Sequence, residues 1–134
     1  MHYMLDTNTC IYVIKHRPAE VKKKLSAIPL DKMALSSVVI GELWYGVFES
    51  TKQKNNEKAL NDFLQFVTVR DWPVEAAQTY GSIRSYLKKK GTPIGAMDLL
   101  IAAHALTVGS ILVTDNVTEF KRVPGLRVEN WVMR

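Results

Sequence analysis

Three stretches of this 134-residue chain contain no lysine or arginine: everything before Lys15, the span between Lys32 and Lys52, and the span between Lys90 and Lys121. Four acids lie in them against apolar sequence. Asp6 ends the run Tyr3-Met4-Leu5, and Glu42 sits inside the mainly apolar residues 34–48. Asp98 opens Asp98-Leu99-Leu100-Ile101-Ala102-Ala103-His104, and Asp115 follows Ile111-Leu112-Val113-Thr114. A carboxylate drawn toward an interior needs a cation, a set of donors or a proton, because burying it bare is very costly. Four acids without a basic neighbour imply that the shared cation is a metal. A fold for this chain must bring the acids together, and metal-assisted hydrolysis is the first chemistry the pattern suggests.

The apolar pattern predicts strands alternating with helices. Tyr3–Leu5 reads as a short buried strand, after which Asp6-Thr7-Asn8 supplies N-cap chemistry for a helical turn through Ile14. Pro18 suits the first turn of a second helix to Ala27. Met33-Ala34-Leu35 is a weak strand, with Ser36 and Ser37 as caps for a helix to about Ser50. A polar joint over residues 52–56 precedes Ala59, Leu60, Phe63, Leu64 and Val67, spaced as one helical face, with residues 66–69 open to a strand reading. Pro73 is expected to open a long helix ending near Lys90-Gly91, and Pro93-Ile94-Gly95 another that stops at Gly109. Ile111–Val113 is the clearest strand, and residues 127–128 are expected as a last edge strand covered by Trp131. This alternation implies a parallel sheet with helices on both faces. Ligands in such folds bind beyond the carboxyl ends of the strands, where Asp6 and Asp115 stand.

The two helical acids have apolar or small neighbours at one-turn spacing. Glu42 has Val38, Val39, Tyr45 and Gly46; Asp98 has Ile94, Gly95, Ile101 and Ala102. Gly46 and Gly95 are expected to let another backbone or helix approach. Singly, Glu42 could be an exposed glutamate on an amphipathic edge, and Asp98 a first-turn acid favoured by the helix dipole. Two further acids at strand ends favour the functional reading. Magnesium and manganese prefer oxygen ligands and keep several waters, which leaves positions for phosphate oxygens.

Charge complements this. The chain has 18 basic and 13 acidic residues, a net charge of +5, with the excess in Lys15-His16-Arg17, Lys22-Lys23-Lys24, Lys52 with Lys54 and Lys58, Lys88-Lys89-Lys90, and Lys121-Arg122. Such clusters are commonly solvated helix ends, yet an acidic set inside a basic protein fits a metal site that receives a polyanion. Apolar content of 47% and charge of 23% argue against disorder, and the length suits one domain over residues 1–134. One cysteine, Cys10, excludes an internal disulfide framework and is expected as buried packing. No signal-like N-terminus or membrane-length apolar run is present, so a cytoplasmic protein is expected. One Cys and three scattered His lack zinc-site spacing, His104 reads as a core or supporting residue, and no Walker A loop, dinucleotide fingerprint or nucleophile elbow occurs.

The ordered motifs resemble a known family. Met4-Leu5-Asp6-Thr7-Asn8 looks like the opening of PIN-domain ribonucleases, and Gly41-Glu42-Leu43-Trp44-Tyr45-Gly46 like their second acidic motif. Residues 94–104 resemble the third, Leu112-Val113-Thr114-Asp115-Asn116 through Phe120 the fourth, and residues 123–131 the family's tail. The similarity covers essentially the whole chain and is closest to the VapC branch, the toxin half of VapBC toxin–antitoxin pairs. It implies an α/β/α sandwich around a mainly parallel five-stranded sheet. It also implies a Mg²⁺- or Mn²⁺-dependent endoribonuclease with Asp6, Glu42 and Asp98 as the carboxylate core. For the fourth position, Asp115 is the better ligand on charge and Asn116 an orienter of water or substrate; Thr7 and Asn8 would support Asp6 by hydrogen bonds. Further implications are a homodimer, inhibition by a VapB antitoxin that inserts a basic residue into the acidic pocket, and structured RNA as substrate. Initiator tRNA, cut in its anticodon stem-loop, is the leading candidate. Two other readings stay open: a metal nuclease acting on DNA, and a nucleic-acid-binding module without catalysis.

Overall fold

The computed structural model describes residues 2–15 and 19–132, so the expectations placed on His16, Arg17 and Pro18 lie outside the described residues. Five strands form the central sheet: β1 (Tyr3–Leu5), β2 (Met33–Ser36), β3 (Thr68–Arg70), β4 (Ile111–Val113) and β5 (Val128–Glu129). Their order is β3-β2-β1-β4-β5, and every pairing is parallel. The central strands carry Met4, Leu5, Leu35, Leu112 and Val113, all inaccessible to solvent, as expected of strands covered on both faces. β3, at one edge, is exposed throughout.

Seven α-helices among the described residues connect and cover the strands: α1 (Thr7–Ile14), α2 (Ala19–Ser26), α3 (Ser37–Glu49), α4 (Gln53–Leu64), α5 (Ala76–Lys90), α6 (Ala96–Val108) and α7 (Val117–Phe120). No helix among the described residues is long and apolar enough to cross a membrane. The α5 and α6 helices end on Gly91 and Gly109, whose φ angles of 73° and 71° favour glycine, so chain reversal follows directly from those two residues. Trp131 is buried and packs its ring 5.7 Å from that of Tyr3, closing the sheet near β5.

Several element boundaries differ from expectation. The polar joint at 52–56 is largely helical, because α4 turns its polar residues outward and only Leu60 is fully buried. The long α5 begins at Ala76 rather than at Pro73, and α6 at Ala96 with Gly95 as its N-cap. The open reading at 66–69 resolves into β3 at Thr68–Arg70, and the last strand lies one residue later than expected. The close approach expected at Gly46 and Gly95 does not occur. A β-carbon on Gly46 would meet nothing within 4 Å, and one on Gly95 would meet only Asp98 Oδ2 at 3.8 Å.

The chain runs from β1 outward to β2 and β3, then returns through α5 and α6 to place β4 on the other side of β1. The direction of strand addition reverses between β1 and β4, which opens a crevice at their carboxyl ends. Asp6 immediately follows β1 at that point.

Candidate active site

Asp6 is held before any ligand arrives. It is the N-cap of α1 and accepts a hydrogen bond from Thr9 N at 2.9 Å, while its own N–H donates to Val113 O at 3.0 Å. Thr9 Oγ1 donates to the same Val113 carbonyl at 3.1 Å, so the end of β4 and the start of α1 are tied together around this carboxylate. Burial pushes the Asp6 carboxyl above its ordinary value; hydrogen bonds from Thr114 and Thr9 pull it back, and nearby Asp115 pushes it up again.

Glu42 arrives from α3 and is engaged by the residue beside Asp6. Thr7 Oγ1 donates to Glu42 Oε1 at 2.5 Å across 35 positions of sequence. Thr7 therefore supports the acidic set, whereas Asn8 is exposed and makes no described hydrogen bond there; helical rotation points it outward, and Thr9 takes the supporting place.

Asp98 projects from the first turn of α6. Its pKa is raised to about 6, first by burial and then by the charges of Glu119, Glu42 and Asp6, with a hydrogen bond to Glu119 adding to the rise. A contact between two carboxyl groups requires a proton, and that is the answer expected where no cation is at hand. The ion pairs among the described residues, Lys24–Glu129 and Lys58–Asp62, both lie away from this cluster.

Glu119 is the acid that the sequence reading missed. The turn after β4 explains why it faces inward. Thr114 Oγ1 accepts the Asn116 N–H at 2.9 Å, and α7 then places Glu119 one turn beyond Asn116, whose Nδ2 donates to Glu119 Oε2 at 3.0 Å. Asn116 thus orients Glu119. Asp115 lies close enough to Asp6 to raise its pKa, but its Oδ2 accepts from Tyr12 Oη at 2.7 Å. A usable signal was present: Glu119 lies in the cation-free span before Lys121, at helical spacing from Asn116.

Acids from the end of β1, from α3, from α6 and from α7 therefore meet in one region. All donors are oxygen, which suits a hard divalent ion such as Mg²⁺ or Mn²⁺ and offers nothing to a thiolate-seeking metal. Among the described residues no three acidic, histidine or cysteine groups are drawn close enough to share one ion. An ion held by all four acids would have to draw their side chains closer together. If the fourth ligand is Glu119, Glu119→Gln should weaken Mn²⁺ binding by at least ~10-fold, with Asp115→Asn costing markedly less. Calorimetric titration decides between them, and the reverse ranking would return the position to Asp115.

His104 is not part of the cluster. It is buried on α6, its Nδ1 lies 2.8 Å from Ser36 Oγ, and burial followed by the charge of Arg70 lowers its pKa. Cys10 is fully buried, and burial with the nearby Asp6 charge pushes its thiol well up, so it is inert packing.

Comparison with known proteins agrees with this architecture. The family model described as the PIN domain matches residues 3–126. The chain is 39% identical over 131 residues to the tRNA(fMet)-specific endonuclease VapC of Salmonella typhimurium, covering 98% of each. It is 44% identical over 132 residues to the ribonuclease VapC2 of Haemophilus influenzae, covering 98% of this chain and 99% of that one. Among solved structures, VapBC2 from Rickettsia felis bound to a DNA fragment from their promoter superposes with a TM-score of 0.90 at 42% identity, covering 98% and 99%. The DNA-bound VapBC of Salmonella typhimurium gives 0.91 at 39%, covering 98% of each chain.

Proposed function

The chain belongs to the VapC branch of the PIN-domain family, and from that membership we propose that it is a metal-dependent endoribonuclease, the toxin of a toxin–antitoxin pair. The observation that supports a metal is the meeting of Asp6, Glu42, Asp98 and Glu119 from four separate elements, with no ion pair to any of them among the described residues. Those four residues would hold Mg²⁺ or Mn²⁺, which when bound supplies positive charge to the phosphodiester and activates a water.

The protein's own groups prepare that site. Thr9 and Thr114 fix the Asp6 carboxylate, and Thr7 occupies one oxygen of Glu42 and leaves the other available. Asn116 sets the direction of Glu119. Asp98 can keep a proton near pH 6 when no cation is present and release it when one arrives, so binding is expected to weaken as pH falls.

An acidic centre repels RNA, so bases must receive the backbone around it. The exposed Lys88, Lys89 and Lys90 form the last turn of α5, and the loop that follows leads directly into α6 and Asp98. Arg122 Nη1 donates to Pro93 O in that loop at 3.2 Å, placing Lys121 and Arg122 beside the same approach. Structured RNA is the substrate class we propose, with initiator tRNA as the first candidate because a relative is named for it.

We further propose a homodimer inhibited by a VapB-type antitoxin. A groove of about 370 Å³ between α1, α3 and α4 is lined by Ile11, Ile14, Leu43, Val47 and Leu60 and reaches Glu42. Gly46 helps to keep it open, which is what the missing β-carbon does there in place of close helix packing. An apolar antitoxin segment seated in it would bring an arginine to the carboxylates, where a paired contact is strong.

Purified protein should cut RNA with Mg²⁺ or Mn²⁺, stop in EDTA, and leave DNA of the same sequence intact. Undiminished cutting in EDTA would remove the metal from the mechanism, and equal cutting of DNA would favour the other nuclease reading.

A further inference from the structure

The helices that carry Glu42 and Asp98 are joined behind the site by two polar contacts. Ser36, the last residue of β2, is also the N-cap of α3 and accepts from Val38 N at 3.2 Å. The same hydroxyl lies 2.8 Å from Nδ1 of His104 on α6, across 68 positions of sequence, and both residues are almost wholly buried. Trp72, in the loop before α5, makes the second link. Its N–H donates to Ser37 Oγ at 3.1 Å, and its indole Nε1 donates to Leu100 O at 2.9 Å.

Both links grip one turn of α6. In the helical ladder the Leu100 carbonyl is the acceptor for the His104 amide, so indole and hydroxyl clasp the two ends of a single hydrogen-bonded turn. That turn starts two residues after Asp98. On the other side, Ser36 and Ser37 form the beginning of α3, less than two turns before Glu42.

We infer that Trp72 and the Ser36–His104 pair are positioning residues, a latch that sets the rotation of α6 against α3 and so the placement of Asp98 relative to Glu42. The inference rests on the metal-dependent reading above. Geometry shows why a latch is needed. A rotation of ~20° about a helix axis moves a carboxylate ~6 Å from that axis by ~2 Å, as large as a whole Mg²⁺–oxygen distance. Packing alone gives limited control here, because beside Leu99 and Ile101 the buried surface of α6 is Ala102, Ala103 and Ala105, small side chains that tolerate sliding. A buried imidazole–hydroxyl pair costs desolvation, which an apolar side chain would avoid, but it has one satisfied arrangement and thereby selects it.

The test compares Trp72→Phe, His104→Leu and His104→Asn with the wild type at a temperature well below the melting transition. Mn²⁺ affinity is measured by calorimetry, and RNA cleavage is measured at saturating metal. Trp72→Phe keeps an aromatic ring and the backbone N–H that bonds Ser37, and loses the indole donor with part of the ring's bulk. Trp72→Phe and His104→Leu should each weaken Mn²⁺ binding and lower kcat by ~10–100-fold, while KM for RNA stays within about twofold. His104→Asn, whose amide can still bond Ser36, should recover most of the loss. Variants that melt earlier but keep wild-type Mn²⁺ affinity and kcat would overturn the latch and leave these residues as ordinary packing. A wild type that binds Mn²⁺ without cutting RNA would strike the ribonuclease reading alone, with the affinity measurements still deciding the latch. A wild type that binds no Mn²⁺ would overturn both.

Discussion

Asp98→Asn should remove RNA cleavage by ~10³-fold or more, since a lost ligand forfeits several kcal/mol of charge stabilisation at the phosphodiester. The same change should make the metal-free protein more stable at pH 7.5. The sign follows from the raised pKa of Asp98, about 6 against an ordinary 3.8. Between those values the folded protein holds a proton that the unfolded chain has released, so this group's contribution is full below the unfolded value and is lost as pH rises through about 6. Above that, folding confines a charge among Glu119, Glu42 and Asp6. Asparagine carries no charge to confine. With a discount for partial exposure, the gain is ~1–2 kcal/mol, or ~4–7 °C in Tm, and it should vanish near pH 4. A structural acid would give the opposite pair of results, lower stability with retained cleavage. Saturating Mn²⁺ should invert the ranking, raising wild-type Tm and leaving the variant nearly unmoved.

Expression of the wild-type chain alone should arrest bacterial growth, and Asp6→Ala should abolish the arrest at equal protein levels. Asp6 is the strongest choice because on the proposed mechanism it would serve the reaction as well as the scaffold: it caps α1 through Thr9 and contacts Thr114 beside β4. Losing the cap costs ~1 kcal/mol, which leaves a folded protein whose level can be checked by immunoblot. Co-expression of a cognate antitoxin should restore growth as fully. Its protection should depend on an arginine that reaches the carboxylates and on apolar residues seated against Ile14, Leu43 and Val47 in the groove. Arrest that persists with Asp6→Ala in soluble form would count against the toxin reading itself.

The parts of the site that were legible in the sequence share a local cause. Asp6, Glu42 and Asp98 could be singled out because each stands on or beside an apolar surface with no basic residue in its stretch of chain, and a chain cannot leave such groups uncompensated. The parallel sheet was legible for a similar reason, since short apolar runs separated by capped helices have few ways to bury themselves. Apolar patterning reads less well at element ends. The polar residues 52–56 entered α4 because exposed helix faces need no apolar signal.

Contacts between distant residues were decided elsewhere. Asp115 and Glu119 carry the same charge four positions apart, and nothing local says which one meets Asp98. The turn closed by Thr114 and Asn116, together with a tyrosine 103 positions earlier that takes Asp115, turns Glu119 toward Asp98. Likewise, no periodicity pairs Ser36 with His104 or Trp72 with Leu100; those bonds exist because β2, α3 and α6 pack side by side. Patterning along the chain determined which groups had to turn inward, through the cost of exposing apolar surface and burying bare charge. Which of them face one another depended on strand order and helix rotation, because only those bring together atoms the chain keeps far apart.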